Sequence, residues 1–187
     1  MPECLVLRAT KAASRRKTLR QASRQQFKLN TIMWQRIQTV FLVIAIISLI
    51  AAIFFPIWVH ETIGQDHKLF ALHYSITGQS GEMITTDYLP YCITAILAIA
   101  SITISVIEIG KYKNRILQMK LGALNSLFLA GTIASAFIFS NQLAKEFQGG
   151  QLGLGLWLPG VAVLGNLLAN RFIRRDEKLV RDSNRLR

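Results

Sequence analysis

The 187-residue chain is 51% hydrophobic yet carries 22 Lys and Arg against 10 acids, a net charge of +12. A balance that basic fits either nucleic acid or an anionic membrane. Four nearly uncharged apolar runs decide for the membrane, each near the about 20 residues that cross a bilayer core as a helix, and they exclude a soluble globular domain.

Residues 1–32 hold eight Lys or Arg and a single acid, Glu3, without sustained apolar periodicity. Such a segment is expected to form little stable structure. It is not a secretory signal, because the apolar run that follows is too long and ends in FFPIW. A mitochondrial transit peptide fits loosely, through Arg and Ser enrichment and few acids. The preferred reading starts the chain at Met33, with Trp34 as an interfacial anchor and Arg36 as a cytoplasmic charge, leaving a net charge of about +5.

From there the expected fold class is an all-α membrane protein, a four-helix transmembrane bundle over 33–172. Its spans are 38–58, 90–109, 121–140 and 152–170. Of the 22 cations, 20 lie before the first run, between the second and third, or after the fourth; the exceptions are Lys68 and Lys145. Lys and Arg accumulate in short cytoplasmic segments, so both termini are expected in the cytoplasm. Because orientation accounts for the charge, a nucleic-acid partner is disfavoured. Cys4 and Cys92 then sit on opposite sides of the membrane, which rules out an intrachain disulfide.

The outer loop, 59–89, is expected to form a small antiparallel β cap. In KLFALHYSIT, Phe70, Leu72, Tyr74 and Ile76 alternate with smaller or polar residues, the period of a half-buried strand. Gly78 and Gly81 frame a turn before EMITTD, a partner strand, and Ile57, Val59 and Ile63 suggest a third. His60, His67 and His73 share the loop with Glu61, Asp66, Glu82 and Asp87, residue types that ligate zinc. Their spacing matches no helical HExxH pair, so no metal or other cofactor is expected.

Three polar residues inside the spans, Glu108, Asn125 and Asn166, form a candidate intramembrane cluster within about two helical turns of the cytoplasmic face. An intramembrane acid is a functional candidate by default. Glu108 is shallow, however, and is expected to snorkel to the headgroups or pair with Lys111. The two asparagines suit interhelical hydrogen bonds. Ala130–Ala134, Gly131–Ser135 and Gly165–Ala169 are small pairs that let helices approach, and Pro159 is expected to bend or loosen span four.

Residues 173–187 read as a basic cytoplasmic tail helix, span four continuing into the cytoplasm. Phe172, Leu179 and Leu186 recur every seven residues beside Ile173 and Val180, and Arg174, Arg175 and Arg181 lie on the charged flank. Glu177–Arg181 and Lys178–Asp182 are supporting i,i+4 pairs. The stripe suits docking to a partner, or lying on anionic lipid.

MWQRIQTVFLVIAIIS, KYKNRILQMKLGALN and LANRFIRRDEKLVRDSNRLR together resemble an uncharacterised membrane protein family, domain of unknown function 4293, seen mainly in Bacteroidota. The resemblance covers 33–187. It implies four helices, a bacterial inner-membrane location and a start at the Met-x-Gln-Arg-Ile-Gln position, here Met33, but no reaction. Members often carry Ser and Asp where this chain has Asp182 and Asn184.

No nucleophile elbow, phosphate loop, dinucleotide fingerprint or metalloprotease helix occurs. The chain is therefore expected to be non-enzymatic, an accessory or assembly subunit partnered by lipid and by other membrane proteins or its own copies. A small carrier using Glu108, Asn125 and Asn166 is the alternative, and a membrane tether for RNA or ribosomes a weaker one.

Overall fold

The first apolar run serves two elements. In the computed structural model, which describes residues 37–78, 81–111 and 114–185, helix α1 covers only Ile37–Phe54. It ends before Pro56, whose ring and missing N–H disfavour helix on both sides. Trp58 already opens a strand, so the expected span 38–58 is too long by its last residues. The expectations for 1–32 and for a start at Met33 lie outside the described residues.

Helix α2 spans Cys92–Gly110, α3 Arg115–Glu146 and α4 Leu154–Arg185. Each of the four is long and apolar enough to cross a membrane. At 32 residues, α3 runs about 48 Å at 1.5 Å per residue, well past the apolar segment 121–140. Helix α4 passes through position 173 without a break. The described part of the tail, through Arg185, thus continues α4. Pro159 lies in the second turn of α4, and the helix continues through it. Beside it, Ser48 of α1 donates to the Leu158 carbonyl at 2.8 Å.

The helices are inside out relative to a water-soluble bundle. Ile47, Phe54, Leu127, Trp157 and Leu164 are exposed, while Ser101, Gln118, Asn125, Thr132 and Asn166 are buried. In water an amphipathic helix hides its apolar face. In hydrocarbon the outside is apolar and the polar groups must find partners within the bundle. Neighbouring helices run antiparallel in the order α1, α4, α3, α2, as paired contacts show: Phe41 with Phe172, Asn166 with Asn125, Asn125 with Ser101. Ala45, Leu49, Ala98, Leu129 and Ala162 fill the apolar centre. Gly165 permits the close approach, since a Cβ there would lie 2.9 Å from the Phe41 carbonyl oxygen.

A five-stranded antiparallel sheet of order β4-β3-β2-β1-β5 covers one end. Its strands are β1 Trp58–Thr62, β2 Gln65–Leu69, β3 Tyr74–Gly78, β4 Met83–Asp87 and β5 Gln151–Leu152. The alternation over KLFALHYSIT is not one strand but two. Phe70 N–H bonds the His73 carbonyl at 2.9 Å, closing a hairpin between β2 and β3. The expected turn at Gly78–Gly81 is present, with Gly81 at φ +80° and β4 as the partner strand. Strand β5 comes from the loop between α3 and α4 and extends the sheet beyond the 59–89 segment.

Ile57, Trp58, Leu69, Ala71 and Tyr74 of the cap pack on Ala95 of α2 and on Ala136 and Leu143 of α3. The Ala95 N–H also bonds the Ala71 carbonyl at 3.1 Å, tying sheet to helix through the backbone.

Candidate functional site

Polar residues recur on one face of each inner helix. On α2 they are Ser101, Ser105 and Glu108; on α3, Gln118, Asn125 and Thr132; on α4, Asn166 and Asn170. All are buried. Spacings of three, four and seven place each set on a single face, and the fold turns these faces toward one another.

Asn125 is the hub. Its Oδ1 accepts from Ser101 Oγ at 2.5 Å. Its Nδ2 donates to Ser105 Oγ at 2.9 Å and to Asn166 Oδ1 at 3.2 Å. Asn166 Nδ2 in turn donates to Ser126 Oγ at 2.9 Å and to the Gly122 carbonyl at 3.2 Å. The amides of α3 and α4 and two hydroxyls of α2 thereby join three helices in one network. Gly122 is required by its neighbour: a Cβ there would overlap the Asn170 side-chain amide.

Glu108 shares this face but not the network. Gln118 Nε2 donates to its backbone carbonyl at 2.9 Å, while both carboxyl oxygens are buried and without a partner. The side chain is 0% exposed. The expectation that it snorkels to headgroups or pairs with Lys111 is therefore corrected; at this position its helix turns inward onto α3. Arg115 is taken by Asp176, whose Oδ2 lies 3.0 Å from Nη1 and whose carbonyl accepts from the same nitrogen. That ion pair fastens the start of α3 to the end of α4.

The tail stripe divides. Phe172 stacks on Phe41 with ring centroids 5.6 Å apart, and Ile173 is buried. Both are used inside the bundle and are not free for docking, a correction to the expected stripe. Arg174, Arg175 and Arg181 are exposed, and Arg181 bonds Glu177 at 2.9 Å as expected. The side chains of Leu179, Asp182 and Leu186 lie outside the described residues.

In the cap, His60 and His67 are cross-strand neighbours with ring centroids 6.2 Å apart, and His73 packs elsewhere, on Phe70 and Tyr88. His67 Nδ1 and Tyr74 Oη are 2.6 Å apart, and His60 stacks on Trp58. No group of three or more His, Cys, Asp or Glu among the described residues is placed to hold a metal. Burial lowers the His67 pKa, as does nearby His60, and burial pushes the Tyr74 hydroxyl up to about 12. A neutral imidazole accepting the Tyr74 O–H agrees with both shifts. Gly150, at φ +105°, crosses the Trp58 ring where a side chain would collide with it.

Reading polar residues one at a time missed Ser101, Ser105, Gln118, Gly122, Ser126 and Asn170. Their recurrence at spacings of three, four and seven within apolar runs was the available signal.

These features define a class: a four-helix bundle with an apolar exterior, a hydrogen-bonded polar interior and a β cap. A family model matches residues 34–186, and the chain belongs to that family, Domain of unknown function (DUF4293). No curated protein matches it.

Proposed function

We propose that the chain is a non-enzymatic integral protein of the bacterial inner membrane, with both ends cytoplasmic, acting as an accessory or assembly subunit of a membrane complex. The cation distribution supports the orientation. The observation that carries the subunit reading is the outward face of α3. There Leu127, Ala130, Ala134 and Phe137 are exposed at alternating spacings of three and four, so one small pair points away from the bundle. Gly131, by contrast, lies against Leu97 of α2, and Gly165 against α1. Small residues on an outward face let a second membrane helix approach its backbone. The test is mass spectrometry of the assembly extracted in mild detergent, for the native chain and for Ala130→Leu/Ala134→Leu. Loss of a stable partner or of self-association in the variant is expected. A native chain that is monomeric and partnerless overturns the reading.

A second reading, a proton or cation carrier, draws on Glu108, whose carboxyl is buried without a partner. It predicts flux in proteoliposomes that Glu108→Gln abolishes; flux unchanged by that substitution removes it. An RNA or ribosome tether predicts binding that falls steeply with salt, and salt-insensitive association removes that idea.

A further inference from the structure

A groove between α3 and α4 brings together the apolar exterior, the basic end of the bundle and a buried polar group. It encloses about 370 Å³ and is lined by Ala123, Ser126, Leu167, Asn170, Arg171 and Arg174. Here α4 changes from an uncharged stretch, 154–170, to one that begins with Arg171. Arg171 and Arg174 are exposed at the mouth. The acids next along the helix are already engaged, Asp176 by Arg115 and Glu177 by Arg181. Asn170 is 8% exposed, and its Oδ1 has no hydrogen-bond partner.

We propose that this groove binds one anionic phospholipid, an inference that rests on the membrane reading above. Its acyl chain lies against Ala123 and Leu167, its phosphate between Arg171 and Arg174, and its polar glycerol region at Asn170. Charge complementarity selects this occupant. Guanidinium groups match phosphate through paired N–H donors, and with Oδ1 turned onto Gly122 the Asn170 amide offers its Nδ2 donor to a phosphoglycerol group. A partner helix laid in the groove covers the apolar floor but leaves two guanidiniums without a counterion at the edge of the hydrocarbon. A phospholipid satisfies both halves at once.

The test reconstitutes the full chain in nanodiscs of phosphatidylcholine containing a minor fraction of phosphatidylglycerol, with native mass spectrometry of retained lipid. One phosphatidylglycerol should be retained over phosphatidylcholine by roughly thirtyfold, from two basic contacts at a membrane surface. Arg171→Ala/Arg174→Ala should abolish that preference. Lys111→Ala/Lys178→Ala removes the same charge at exposed positions outside the groove and leaves Glu177 with Arg181, so it should leave the preference intact. Ala123→Leu fills the groove without changing charge and should also abolish it.

Equal loss from both charge pairs means diffuse attraction to the basic surface and overturns the site. Full competition by inorganic phosphate or glycerol phosphate means a soluble-anion site and overturns the lipid assignment, as does a protein segment found covering Ala123 and Leu167. Insertion without any phosphatidylglycerol preference sinks only this proposal. Failure to insert into any bilayer sinks the membrane reading itself.

Discussion

Asn125 uses both ends of its amide on side chains of two other helices, and this is where single substitutions should tell most. Asn125→Ala leaves Ser101 Oγ and Asn166 Oδ1 without their partner and removes one of the two bonds of Ser105. An unsatisfied buried polar group costs about 1–3 kcal/mol, so a clear fall in detergent melting temperature is expected. A double-mutant cycle with Asn166→Ala should return a coupling of roughly 0.6 kcal/mol, because hydrogen bonds in membranes are individually modest. Glu108 points the other way. Both carboxyl oxygens are buried and unpartnered, so Glu108→Leu should raise the melting temperature by removing acceptors that nothing satisfies. A destabilised variant would show that the carboxyl has a structural partner. A stabilised one would mean the residue serves something other than folding, as in stability–activity trade-offs.

Among elements, the α3–α4 contact depends on two features at its basic end. Gly122 leaves space for the Asn170 side chain, so Gly122→Ala should destabilise the bundle by about 1–3 kcal/mol through overpacking. Asn170→Ala in the same chain should recover most of the loss, and thermal unfolding of the single and double variants checks it. The Arg115–Asp176 pair is the second feature. Asp176 retains 10% side-chain exposure and Arg115 27%. Breaking a fully buried pair costs about 3–5 kcal/mol by leaving a charge uncompensated, and partial exposure should hold Arg115→Ala below that. Hydrogen exchange should rise first at the beginning of α3 and in the last turns of α4.

For the whole molecule, the cap and the bundle should respond differently to pH. The folded His67 pKa lies below its ordinary 6.5, so the opened cap binds more protons in that window. Cap stability is therefore full above about pH 6.5 and falls as the solution is acidified through the folded value. Tyr74, raised from 10.0 to about 12, supplies an alkaline limb. There the opened cap ionises first, and stability is lost as pH rises from 10 toward 12. Exchange at the β2 and β3 amides, corrected for intrinsic rate, should accelerate at pH 5 relative to pH 7.5. His67→Gln should remove that acid response while keeping an acceptor for Tyr74.

How much of this was legible follows from the kind of signal each part leaves. Four helices follow from the apolar runs alone, because a segment that long without charge has few other destinations. The Gly78–Gly81 turn and its partner strand were readable from turn chemistry. The break at Phe70–His73 was not, since the alternation continues across it and only pairing with a neighbour reveals the hairpin. Strand β5 is two residues long and exists only through its bonds to β1. Glu108 shows the same division for the candidate site. Its depth along the helix is a matter of counting, and counting placed it near the surface. Its burial depends on which way α2 is rotated against α3, a property of two helices together.

By itself, then, the sequence determined four helices long and apolar enough to cross a membrane, since transfer free energy adds residue by residue. Only the tertiary structure decided which polar side chains meet. Hydrogen bonds and cavities depend on helix rotation and register, and those are set by all the contacts at once.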